Sequence, residues 1–268
     1  MNPVLARLCA FSSRTLHRLH GGRLIAAAET ACAFLLGKGS GSGWDATGET
    51  RSVARFVTNP DPVVFDVGAN NGEWSAKLAA HMQRPDARFH LFECSPQVLP
   101  YLPKRLPRIP NPTVVEAAVS EQEGEIVLHT PIRGSGLASV HARRDVSVSR
   151  ETYESVTVPA ITLDGYVHRN GIDRIDLLKM DIEGHELAAL RGAVQTFEAG
   201  IIRTVSFEFG SANVNSRTFF RDFWDFFDER GFKLHRIIAG GGVVAVPRYG
   251  EDLEYFRGAT NYIAHRPG

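Results

Sequence analysis

Two stretches hold the side chains best suited to chemistry. The first is Asp66-Val67-Gly68-Ala69-Asn70-Asn71-Gly72-Glu73, an apolar run leading into a helical pattern. Its glycines let the backbone pass close to a ligand, and a helix starting here offers N–H groups with no partner inside the helix. A dinucleotide fold asks for GxGxxG at this point, but position 70 is Asn and position 73 is Glu. Glu73 also puts a negative charge where a pyrophosphate would lie. A phosphate-free ligand with an amino acid head therefore fits this turn better than a nicotinamide dinucleotide. Asp66, Gly68, Asn70, Asn71 and Gly72 are its candidate binding residues. Glu93, ending the next apolar run, can accept both hydroxyls of a ribose. Small residues at Ala117 and Ala118 leave room for a flat ring, with Ser120 as a hydrogen-bonding group.

The second stretch is Lys179-Met180-Asp181-Ile182-Glu183-Gly184-His185-Glu186, three carboxylates and an imidazole at a strand exit. Acids favour the first turn of a helix for electrostatic reasons alone. Ligands of open α/β sheets, however, bind at the carboxyl ends of strands. Asp181, Glu183 and His185 are thus candidate catalytic groups, with Asp181 also facing the cofactor. Glu208, between Phe207 and Phe209, is a fourth: apolar neighbours raise a carboxyl pKa toward that of a general base. A divalent cation held by such carboxylates is a second route to an activated hydroxyl. The rings from Phe219 to Phe227 recur at helical spacing and read as a core stripe.

The elements that position these groups alternate between strand and helix patterns, which marks a mostly parallel sheet. Strands are expected at residues 63–67, 88–93, 113–119, 175–180, 201–209, 232–238 and 261–265. Helices are expected at 73–82, about 187–197 and 217–230. Residues 121–160 break the alternation with two short strands around a polar loop containing His141, Arg143 and Arg144. An insertion there lies above the strand ends and is suited to shaping the acceptor site. The expected organisation is a helical extension and linker over 1–59, then one domain over 60–268 with that insertion.

Of 268 residues, 30 are basic and 30 acidic, so nothing in the charge balance singles out nucleic acid as a partner. Three cysteines in no paired or His-flanked spacing read as reduced thiols of a cytoplasmic protein. Residues 1–28 carry Arg7, Arg14, Arg18 and Arg23 with no acid. They read best as a helix packing on the domain, with a membrane-surface helix and a targeting segment as alternatives. Gly37 to Gly43 reads as a flexible connector.

Taken together, the Asp66–Gly72 turn, Phe92-Glu93-Cys94-Ser95-Pro96 and the Lys179–Leu187 stretch with Leu190-Arg191-Gly192-Ala193 closely resemble FkbM-type methyltransferases. The resemblance implies a Rossmann-like class I methyltransferase fold: a mostly parallel seven-stranded sheet with helices on both faces. It implies S-adenosylmethionine as cofactor and a hydroxyl on a sugar, glycan or small natural product as methyl acceptor. By that likeness Gly68 and Asn70 line the methionine part, Glu93 holds the ribose and Asp181 lies near the reacting centre. A nicotinamide-dependent oxidoreductase and a non-catalytic binding protein are the rival readings.

Overall fold

Every residue of Val63–Val67 is buried, as a central strand covered on both faces requires. The computed structural model describes residue 13 and residues 22–39, 41, 46–131, 138–142 and 153–267. The strands are β1 (Val63–Val67), β2 (Arg88–Phe92), β3 (Pro112–Val115), β4 (Ala118–Val119), β5 (Gly124–Pro131) and β6 (Tyr153–Ile161). They continue as β7 (Leu177–Met180), β8 (Thr204–Gly210), β9 (Lys233–Ile238), β10 (Gly242–Val246) and β11 (Ala259–His265). The helices are α1 (Gly22–Leu35), α2 (Ala46–Ala54), α3 (Glu73–Met82) and α4 (Leu163–Arg169). After them come α5 (Glu186–Arg191), α6 (Val194–Glu198), α7 (Ala212–Ser216) and α8 (Phe220–Asp228).

The main sheet has eight strands in the order β10-β9-β11-β8-β7-β1-β2-β3, where seven were expected. The additional strand is β10, a short edge strand, Gly242-Val243-Val244-Ala245-Val246, that follows a glycine turn, pairs with β9 in a hairpin and buries only Val246. The β3-β2-β1-β7-β8 half is parallel, and β11 runs antiparallel between β8 and β9. The strand expected over 113–119 is in fact two. A tight bend, with Ala117 N–H donating to Val115 O, sends Ala118 and Val119 out of the main sheet. There β4 joins β6 and β5 in a separate three-stranded sheet.

Helices cover both faces. On one face α8 lays Phe220, Phe223 and Phe227 against β8, with Phe223 stacked on Phe207 at 5.1 Å and 8°. The expected stripe is therefore core. On the same side, the single helix expected over 187–197 divides into α5 and α6 at Gly192. A Cβ there would meet Ser120 O at 2.1 Å, so only glycine lets the chains approach this closely. Thr162 caps α4 by accepting the Gly165 N–H. On the other face α3 packs with α2, whose Val53 joins Val57, Val64, Leu78 and Phe89 in one core cluster. Residues ahead of position 60 thus help to build the core. α1 buries none of its residues and exposes Leu24 and Leu35. Arg7, Arg14, Arg18, Gly43, Arg143 and Arg144 lie outside the described residues.

Candidate active site

A cavity of about 410 Å³ opens over the carboxyl ends of β2, β1 and β7. This is where a doubly wound sheet leaves a crevice. Its floor is the turn after β1. Gly68 has φ +83, and a Cβ on it would stand 2.0 Å from Asp181 O, so the turn lies directly against the exit of β7. Asn70, at φ 50, donates its backbone N–H to Glu93 Oε2 at 2.8 Å. Ser95 N–H donates to Glu93 Oε1 at 2.7 Å. Both carboxylate oxygens are thereby pinned by the backbone while each keeps lone pairs for a ligand. Burial raises the Glu93 pKa against the opposing pull of those N–H groups.

Beneath this floor, Asp66, Lys179 and Ser206 occupy adjacent register positions on β1, β7 and β8. Lys179 Nζ sits 3.2 Å from Asp66 Oδ1 and 3.5 Å from Asp181 Oδ2, and 5.2 Å from the centre of the Trp74 ring. Burial works against its ammonium, but the fields of Asp66, Asp181 and Glu49 outweigh it and raise its pKa. Asp66 is fully buried and also accepts from Ser75 Oγ at 2.6 Å. It organises the row and does not line the cavity.

The acidic stretch after β7 separates by role. Asp181, Glu183 and His185 line the cavity. Glu186 turns inward, and its Oε1 accepts the N–H groups of Ile182 at 2.9 Å and Gly184 at 3.2 Å. It closes the loop that carries Glu183 at φ 54. Burial lifts its pKa to about 7. His185 Nε2 and Ser120 Oγ are 3.0 Å apart, and His185 Nδ1 lies 3.4 Å from His141 Nε2. Burial lowers the His185 pKa to about 4, so the ring is neutral near pH 7.

Gly68, Asn70, Asn71, Glu93, Asp181, Glu183 and His185 are thus gathered around one cavity. Asp66, Gly72, Ser120 and Glu208 are not among its lining residues. Ser120 meets the cavity through His185, and Gly72 is turned toward Leu102. Glu208 is raised well above an ordinary carboxyl by burial and by the negative fields of Asp181, Glu183 and Glu186. The insertion contributes Leu128, Ala138, Ser139 and Val140 to the wall, and Ser139 Oγ donates to Glu183 O at 2.8 Å.

Sequence reasoning missed Glu49 on α2, which lines the cavity and accepts from Trp74 Nε1 at 2.9 Å. Burial, partly offset by Lys179, lifts its pKa to about 7. The one signal in its neighbourhood was apolar Val53 and Val57 at helical spacing. Among the described residues, no three His, Cys, Asp or Glu side chains are grouped as a metal site requires.

A model of the FkbM methyltransferase domain matches residues 66–234, from the cavity turn through most of the sheet. The chain belongs to the FkbM methyltransferase family. Its Rossmann-like sheet, parallel on one side and with antiparallel β11 inserted beside β8, is the class I methyltransferase arrangement. The 2-O-methyltransferase NoeI of Sinorhizobium fredii is 26% identical over 159 residues, 54% of this chain and 63% of that protein. The hexuronic acid methyltransferase AglP of Haloferax volcanii is 26% identical over 52% of this chain and 53% of its own length. The 31-O-demethyl-FK506 methyltransferase FkbM of Streptomyces tacrolimicus is 28% identical over 50% of this chain and 60% of its own. This FkbM-family chain therefore spans less than two thirds of each of these relatives.

Proposed function

We propose that the protein transfers a methyl group from S-adenosylmethionine to a hydroxyl of a sugar, glycan or small natural product. The observation that carries this reading is the pinned Glu93 carboxylate beside the Gly68–Asn71 turn. Two backbone N–H groups orient it so that its remaining lone pairs can meet a ribose diol. The cavity also fits a ligand without phosphates. Glu49, Glu73, Glu93, Asp181 and Glu183 line it, whereas its lysines are Lys77, paired with Glu73 at 2.7 Å, and Lys179, paired with Asp66 and Asp181. When bound, S-adenosylmethionine supplies an electrophilic methyl carbon, leaving the protein to align the acceptor and exclude water.

In this reading Gly68, Asn70 and Asn71 border the methionine part and Ala117 to Val119 border the adenine. Asp181, with 44% of its side chain exposed, is the first candidate to take the acceptor's proton. Glu183, His185 and Glu208 stand behind it. The relatives named for a 2-O-methyl transfer and for a hexuronic acid support a carbohydrate hydroxyl as acceptor. Among the described residues, no helix is long and apolar enough to cross a membrane. The exposed apolar surface of α1 and the acid-free residues 1–28 support peripheral contact with an anionic membrane surface.

Calorimetry with S-adenosylmethionine, S-adenosylhomocysteine and NADH tests the assignment. Both adenosyl compounds should bind and NADH should not. Glu93→Ala should weaken S-adenosylhomocysteine binding by about tenfold or more. Asp181→Ala should keep that affinity within a few-fold yet fail to methylate any member of a glycan and natural-product panel that the wild type modifies. Folded wild-type protein giving neither heat nor a thermal shift with either adenosyl compound would overturn the proposal.

A further inference from the structure

Glu49 lies ahead of the family match, which begins at residue 66, yet it forms part of the cavity wall. It sits over the Asp66–Lys179–Ser206 row. Trp74 Nε1 donates to its Oε1 at 2.9 Å, and Ser206 Oγ reaches the same oxygen at 3.5 Å. Trp74 in turn stacks its ring near the Lys179 ammonium. The carboxylate is therefore held from α3 and from β8, and α2 is the element that carries it.

Charge around Glu49 is out of balance. Lys179 is shared between buried Asp66 and Asp181. Glu49, partly buried and desolvated by its neighbours, adds a further carboxylate to that one ammonium. Carboxylates desolvated in this way gain from an incoming cation. The position along the cavity is equally specific. Glu93 stands at the end of β2, whereas Glu49 lies beyond β1, next to side chains of β7 and β8. Two inter-strand steps separate the ends of β2 and β7, roughly 10 Å. A ligand with a diol at one end and a cation at the other matches that separation.

We propose that Glu49 binds the α-ammonium group at the amino-acid end of the adenosyl cofactor, making α2 an integral wall of the cofactor site. This rests on the reading of the cavity given above and assigns a role to a residue outside the family match. The Glu49–cation contact is a charge-assisted hydrogen bond in a site of low dielectric, where such contacts are strongest.

The test compares three ligands. S-adenosylmethionine and S-adenosylhomocysteine both carry the ammonium, and 5′-methylthioadenosine keeps the adenosyl group without it. Glu49→Gln retains an oxygen to accept from Trp74 and Ser206 and removes a partly buried, desolvated charge, so its melting temperature should equal or exceed that of the wild type. It is expected to bind both ammonium-bearing ligands about tenfold or more weakly, with 5′-methylthioadenosine unchanged within about twofold. Glu49→Asp, charged but shorter, should recover part of the loss. Wild-type binding of S-adenosylhomocysteine with an unaltered constant in Glu49→Gln would overturn this assignment alone. The same holds for an equal loss of all three ligands in a variant that melts like the wild type. Wild-type protein that binds none of the three would overturn the functional reading and this inference with it.

Discussion

At Glu186 the folded pKa near 7 lies above the ordinary carboxylate value because the side chain is buried. The folded state therefore keeps a proton that the unfolded chain releases. The stabilisation from this group is complete below the unfolded pKa and is lost as pH rises through about 7. His185 runs the other way: its pKa is lowered to about 4, so its contribution is present above the unfolded value and fades as pH falls toward 4. Glu186→Gln imitates the protonated acid and still offers Oε1 to Ile182 and Gly184. Its Tm relative to the wild type is expected to rise between pH 5 and pH 8, by roughly 2–4 °C or more. A Tm difference that stays flat across that range would show that Glu186 titrates elsewhere. The sequence placed Glu186 in the same acidic stretch as Asp181 and Glu183. Nothing in their spacing says which carboxylates face the cavity and which one caps the loop from inside.

At the scale of elements, α8 was legible because its rings recur at helical spacing, and a surface helix hides such a stripe against the sheet. Phe223 is fully buried and stacked on Phe207. Phe223→Ala should cost about 3–5 kcal/mol in urea denaturation. A loss below about 1 kcal/mol would mean that the helix is not seated on β8 as described. Short elements were harder to read. The bend at Ala117 and the break at Gly192 answer to contacts made across the fold, Gly192 to Ser120 O in particular. A strand of two residues such as β4 carries too little periodicity to separate from β3.

On the whole-molecule scale, α2 joins the N-terminal part of the chain to the core and to the cavity, whereas α1 lies on the surface. Truncations should separate these two roles. Removing residues 1–35 is expected to leave the Tm nearly unchanged and to abolish co-sedimentation with vesicles rich in anionic lipid. Removing residues 1–59 takes away Val53 and Val57 as well and should lower the Tm by 10 °C or more, on the order of several kcal/mol for two large-to-small losses. Equal stability of the two truncations would show that α2 is not part of the core, and vesicle binding that survives the shorter deletion would place membrane contact elsewhere.

What the sequence determined by itself was local and patterned. The parallel α/β architecture follows from alternating apolar runs, and the turn after β1, the acid at position 93 and the acidic exit of β7 follow from residue types at element ends. These signals survive in one dimension because each is encoded within about ten neighbouring residues. Glu49, the Ser120–His185–His141 chain and the division of labour between Asp181 and Glu186 were decided by tertiary structure. Each depends on side chains that meet across elements far apart in the chain, and no local period records such a meeting.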